Sequence, residues 1–177
     1  VSESHAASPP VTGAARAPGP RRAIVLAGRR PGPDALAAGD GAPHRALLDI
    51  EGEPMLVRVV RQLLAWPSIE RVLINMDRLE LLETLPDLAR WRAEGRVALL
   101  ASTDSPSRSV LASLDAFGLA DGPVLVTTAD HALLDAAMLA TFFAESEKSS
   151  ADLCLALVPR SIIQVRFPEA RRTYMKF

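Results

Sequence analysis

Five short apolar runs alternate with amphipathic stretches along this chain, and that alternation restricts the fold more than any other feature. The runs are Arg22–Gly28, Arg71–Met76, Val97–Ala101, Pro123–Thr128 and Asp152–Val158. The first stops at a glycine, as a buried strand does when it delivers the chain into a turn. Between the runs lie helical patterns. Pro54 suits a first helical turn, Met55, Leu56, Val59, Val60, Leu63 and Leu64 follow at helical spacing, and Pro67 ends the stretch. Residues 78–93 read as helical with a break at Pro86, and Ser107–Phe117 carries Val110, Leu111, Leu114 and Phe117 on one face. A further helix is expected from about Asp135 to Glu145. Strands alternating with helices imply right-handed crossovers, so the expected class is α/β: an open, mainly parallel sheet with helices on both faces.

The chain has 177 residues, about one domain's worth. Seven of its 10 glycines and eight of its 14 prolines fall in the first 54 residues. Residues 1–21 are rich in Ala, Pro, Ser and Gly without periodicity and read as a disordered tail, leaving 22–177 for the fold. A net charge of −1 gives no basic surplus for nucleic-acid binding. No apolar stretch approaches the roughly 20 residues of a membrane helix, and the start lacks a signal-peptide pattern. A cytoplasmic protein, binding neither membrane nor nucleic acid, is the expectation. The single cysteine, Cys154, excludes an intrachain disulfide and reads as a small buried hydrophobe.

Ligands of open parallel sheets bind beyond the carboxyl ends of the strands, which selects the loops after Leu26 and after Thr128. The first loop, residues 28–45, holds four glycines, with Arg29, Arg30 and Arg45 near its ends. Gly28 would let backbone N–H groups cup a phosphate, and the arginines would offset its charge. A flexible loop with solvated arginines reads equally well from the residues alone. Neither G-x-G-x-x-G nor the P-loop pattern is present. The second loop carries Asp130, placed to hold a divalent cation or to act as a turn former. His44 and His131 read as structural or solvent-facing, with ligand contact by His44 the other reading. Together, a phosphate loop and a metal-binding Asp at one sheet edge suit phosphoryl or nucleotidyl transfer, which needs positioning and charge neutralisation more than covalent catalysis.

The runs AIVLAG (23–28), HRALLDIEGEPMLVRVVRQL (44–63) and GPVLVTTADHALL (122–134) together resemble the nucleotidyltransferase superfamily. Within it the chain is similar to the branch of molybdenum-cofactor guanylyltransferase, a MobA-like NTP transferase, and of related sugar-phosphate and cobinamide-phosphate enzymes. The resemblance implies a Rossmann-like α/β/α sandwich of the glycosyltransferase-A type. It implies that Leu26, Ala27 and Gly28 open the nucleotide-binding loop, with Arg29 beside them, and that Arg45 stands where relatives carry a phosphate-binding lysine. By the same resemblance Asp130 would bind Mg²⁺, and Ser109, in the segment Ser105–Val110, would contact the nucleotide. The chain departs from the pattern in three places. Arg29-Arg30-Pro31 follows Gly28 where a second glycine is usual, and Arg replaces Lys at 45, in a chain with 18 Arg to 2 Lys. Relatives also continue beyond the equivalent of Phe177, so a C-terminally incomplete domain is expected.

The function expected is a Mg²⁺-dependent nucleotidyltransferase that moves NMP from an NTP to a small phosphorylated acceptor and releases pyrophosphate. Arg45 and Asp130 are the expected catalytic pair. A non-catalytic nucleotide-binding module is the first alternative. A nucleotide-sugar glycosyltransferase on the same fold is the second, weakened because Thr128-Ala129-Asp130 offers one Asp where such enzymes usually carry a D-x-D-like pair.

Overall fold

The computed structural model describes residues 21–29, 39, 41–118, 122–170 and 174. The expected tail, apart from Arg21, and most of the glycine/arginine loop, Arg30 included, lie outside the described residues. The chain divides into two units, Val1–Leu134 and Asp135–Phe177.

The first unit is built on a four-stranded parallel sheet. Its strands are β1 (Arg21–Leu26), β4 (Ile69–Met76), β5 (Val97–Ala101) and β6 (Val124–Thr128), in the order β5-β4-β1-β6. β1 is central, with Ile24 opposite Leu73 on one side and Val126 on the other. Ala23, Ile24 and Val25 have no exposed surface. The five residues Val72–Met76 of β4 are buried in succession, so both faces of this strand are covered, as in a sheet flanked by helices on two sides. The two inner strands form because their apolar side chains leave water on both faces, whereas β5 and β6, at the sheet's edges, are only partly covered.

Helix α1 (Met55–Ala65) packs on β4 and buries Leu56, Val59, Val60 and Leu63, while Arg58 and Arg61 stay at its edge. A two-stranded hairpin precedes it, β2 (Asp49–Ile50) against β3 (Glu53–Pro54). Its two turn residues, Glu51 and Gly52, both have positive φ, 55° and 85°. That form matches the twist of a two-residue hairpin, and Asp49 Oδ1 accepts the Gly52 N–H at 2.8 Å. Helices α2 (Pro86–Ala93) and α3 (Pro106–Ala116) follow β4 and β5. Pro86 begins α2 after a 3-10 turn at Leu79–Leu82, so the break expected in 78–93 is present. Arg61 donates to Glu53 and Asp87, Arg90 donates to Asp87, and both guanidinium groups lie over Trp91, joining the hairpin, α1 and α2. Ser105 caps α3 by accepting from the Arg108 N–H.

The second unit contains α4 (Ala136–Glu147), capped by Asp135, and α5 (Arg160–Arg166). The strand expected at Asp152–Val158 is not formed among the described residues. Leu153, Leu155, Leu157 and Val158 are all more than half exposed, and Cys154, expected to be buried, is intermediate. Apolar residues signal a strand, but a strand exists only where a neighbour takes its N–H and C=O groups, and no described strand pairs with this segment.

Burial sets the cost of truncation. Ile74→Ala removes a side chain with no exposed surface and should cost about 2–5 kcal/mol. Leu111→Ala, at 62% exposure on α3, should change stability by no more than about 0.5 kcal/mol. Urea unfolding measures both, and equal costs would contradict this assignment of the core.

Candidate functional site

The strand order locates the site. The chain steps from β1 to β4 to β5 in one direction, then returns to place β6 on the other side of β1. β4 and β6 thus flank β1 in parallel, and the carboxyl ends of these three strands lie along one edge, where ligands of such sheets bind. The ladders continue just past the strands: Ala27 N–H donates to Asn75 O (2.8 Å), Ala129 N–H to Leu26 O (2.9 Å) and Ser102 N–H to Met76 O (3.0 Å). Residues 27, 77, 102 and 130 are therefore held at one rim by the sheet itself.

The residues singled out in the sequence meet at that rim in unequal ways. Leu26 is half-buried, Ala27 is buried, and Gly28 and Arg29 are exposed. A Cβ at Gly28 would stand 3.0 Å from Ser102 Oγ and 3.1 Å from Ser102 Cβ. A side chain at 28 would thus press on Ser102 and require that side chain to give way by a few tenths of an ångström. Arg45 and Asp130 face each other, Nη2 to Oδ2 at 3.6 Å, with 44% and 49% of their side chains exposed. Asp130 Oδ1 accepts the Thr128 hydroxyl at 2.5 Å. Ser109 is buried in the first turns of α3. Its Oγ accepts the Thr103 N–H at 2.9 Å and donates to Thr103 Oγ1, whose own proton goes to Ser105 O. It holds the 102–105 loop in place beside Gly28.

Two polar residues were not singled out by the sequence reading. Asn75 is fully buried within β4; its Nδ2 donates to Ser113 Oγ at 3.1 Å, and its Oδ1 has no partner. Asp77 follows β4 directly, as Asp130 follows β6, so the rule that drew attention to Asp130 applied equally to Asp77. Its Oδ1 accepts both the Arg29 N–H and the His44 Nε2–H, each at 3.1 Å. Burial pushes the Asp77 carboxyl up, but the hydrogen bonds from the Arg29 backbone and His44 outweigh it and hold it below the ordinary aspartate value. His44 is only 2% exposed, and its Nδ1 accepts the Ala46 N–H at 3.1 Å. The structural reading of His44 therefore holds for its ring nitrogens: both are engaged within the protein.

Among the described residues no group of three or more His, Cys, Asp or Glu is arranged to hold a metal ion. At the strand ends Asp130 offers a half-exposed carboxylate, more open than that of Asp77. One hard oxygen ligand suits a cation such as Mg²⁺ that completes its shell with water and phosphate oxygens, so the donor chemistry fits. Among the described residues no helix is long and apolar enough to cross a membrane.

Known proteins share this architecture. A hypothetical transferase from Thermus thermophilus superposes with a TM-score of 0.60 at 25% identity, covering 86% of this chain and 57% of that one. The 4-diphosphocytidyl-2C-methyl-D-erythritol synthase of Anaerococcus prevotii gives a TM-score of 0.58 at 11% identity, covering 85% and 63%. In sequence, the 2-C-methyl-D-erythritol 4-phosphate cytidylyltransferase of Acidobacterium capsulatum is 28% identical over 119 residues, 66% of this chain and half of that protein. The chain thus spans about half the length of the curated relative it matches. Residues 23–165 match the MobA-like NTP transferase domain, and the chain belongs to that family.

Proposed function

We propose that the chain carries the nucleotide-binding part of a nucleotidyltransferase, one that moves NMP from an NTP to a small phosphorylated acceptor and releases pyrophosphate. The observation that carries this reading is the meeting of Arg45 and Asp130 at the carboxyl ends of the adjacent strands β1 and β6. A cation-binding carboxylate and a phosphate-binding guanidinium are the two charges that a metal–triphosphate complex needs. Membership of the NTP transferase family and likeness to a cytidylyltransferase support the same reading.

In this reading the chain's own groups bind and orient. Gly28, with no side chain, leaves the rim open beside the 102–105 loop, and Leu26 and Ala27 form its floor. Arg45 offsets charge on the phosphates and on the departing pyrophosphate. Arg29 adds positive charge at the entrance. Ser109 acts through the loop it supports. Asp130 would hold Mg²⁺, which when bound would neutralise the triphosphate and polarise the reacting phosphoryl group. The acceptor's phosphate is largely ionised at pH 7, so attack on the α-phosphorus requires no strong general base. That agrees with a rim of arginines and single carboxylates. The protein would work on soluble metabolites in the cytoplasm.

Three measurements test this reading. Thermal shift with each NTP and Mg²⁺ should raise the melting temperature of the wild type, because only the folded state binds the ligand. No shift with any NTP would overturn the proposal, and binding without pyrophosphate release would favour a nucleotide-binding module. Asp130→Asn should lower metal-dependent turnover by about 10²-fold or more while leaving the unfolding transition in place, since it removes charge at an exposed position. Undiminished turnover would move the metal site elsewhere. Arg45→Ala should lower kcat/KM by the equivalent of about 1.5–3 kcal/mol, the scale of one charge-assisted hydrogen bond.

A further inference from the structure

The two ends of the connection between β1 and the hairpin converge on a single atom. Arg29 begins that connection, and its N–H reaches Asp77 Oδ1; His44 closes it, and its Nε2 reaches the same oxygen. Residues 30–43 lie between. We propose that Asp77 is a positioning residue of the nucleotide site, a clasp that holds Arg29 and His44, and with His44 the adjacent Arg45, against the end of β1. The proposal rests on the nucleotidyltransferase reading above.

Local chemistry fixes the direction of each contact. His44 Nδ1 accepts the Ala46 N–H, so its lone pair points into the chain and the ring hydrogen sits on Nε2. That hydrogen can go only to an acceptor, and Asp77 Oδ1 is 3.1 Å away. The imidazole is held from both sides, and the 3-10 turn Arg45–Leu47 starts from it with His44 as its N-cap. Rotation of His44 would therefore swing Arg45. Adjacent side chains of this turn engage carboxylates on opposite neighbours of β1: His44 takes Asp77 after β4, and Arg45 takes Asp130 after β6. The dipeptide straddles the central strand, and its placement across the strand ends depends on the Asp77 side being fixed.

Asp77 would serve neither as a ligand for phosphate, which its charge repels, nor as a proton carrier, since its Oδ1 already accepts two N–H groups. The fork in the contacts makes this testable. Both N–H groups meet Oδ1, while Oδ2 stands 3.5 Å from Arg29 Nε. Asparagine retains Oδ1 and loses only the charge and the Oδ2 contact; alanine loses everything.

The test compares Asp77→Ala and Asp77→Asn in the whole chain, by amide hydrogen exchange without nucleotide and by KM and kcat for the NTP. Exchange at Arg29 and Ala46 should be at least about tenfold faster in Asp77→Ala than in the wild type. KM should rise by about tenfold or more with a smaller change in kcat. Asp77→Asn should restore most of both. Unaltered exchange at Arg29 and Ala46 in the alanine variant overturns the clasp. An asparagine variant as impaired as alanine also overturns it, because charge rather than position would then be the requirement. Lower melting temperature with wild-type KM would assign Asp77 to stability alone. Should Asp77→Ala fail to fold, Asp77→Ser removes the same acceptor and gives the same readouts. A wild type that binds no NTP defeats the nucleotide reading, whereas the exchange data judge the clasp independently of it.

Discussion

Burial of β1 between two parallel partners is the constraint on which the site depends. Ala23, Ile24 and Val25 are wholly enclosed, and their backbone groups are shared between β4 and β6. A strand fixed on both edges and both faces has no freedom at its carboxyl end. Residues 27 to 29 leave it in one direction, with Asn75 and Thr128 in register on either side at Leu26. The loops that follow can vary without moving their origin, which is how a sheet of ordinary apolar strands delivers polar groups to a common rim.

One of the charged contacts at that rim is exchangeable. Arg45 and Asp130 are each nearly half exposed and 3.6 Å apart, and a pair of that kind is worth about 0–1 kcal/mol in water. A ligand carrying both a cation and phosphate can replace it at little cost, since each partner trades one opposite charge for another. A cation alone would leave Arg45 without its partner beside it, and a bare phosphate would face Asp130. The Asp77–His44 contact is of another kind. One partner is buried, and both ring nitrogens are engaged within the protein. The rim thus combines a fixed side with an exchangeable one.

Much of the fold was legible because it follows from burial. The four strands of the sheet and the helices at 55–65, 86–93, 106–116 and 136–147 lie where apolar spacing, Pro and capping residues put them, although the helix at 106–116 buries Ser109 and Ser113 rather than the expected face of Val110, Leu111, Leu114 and Phe117. The run at 152–158 carried the same apolar signal and forms no strand, because the signal reports a wish to leave water and does not supply a partner. Arg45 and Asp130 were legible as a pair through the carboxyl-end rule and the family resemblance, and the fold does bring them together. Asp77 obeyed that rule as well, but its meaning lay in where Arg29 and His44 arrive. That depends on how residues 29 and 44 return to one place, and spacing along the chain does not encode the return.

Gly28 shows how a residue can be legible for one reason and favoured for another. In the sequence it marks the end of a strand and the mouth of a phosphate loop. In the fold its missing Cβ would lie 3.0–3.1 Å from Ser102, on the loop that Ser109 holds from below. Close approach between the loops after β1 and β5 narrows the rim on that side of the sheet, over the end of β4. Arg45 and Asp130 stand on the other side of β1, toward β6. Ser109, which touches neither of them, shapes the site through Thr103 and the loop facing Gly28. Glycine at 28 and serine at 109 are two halves of one steric arrangement, and a change at either would act on the width of the rim rather than on its charge.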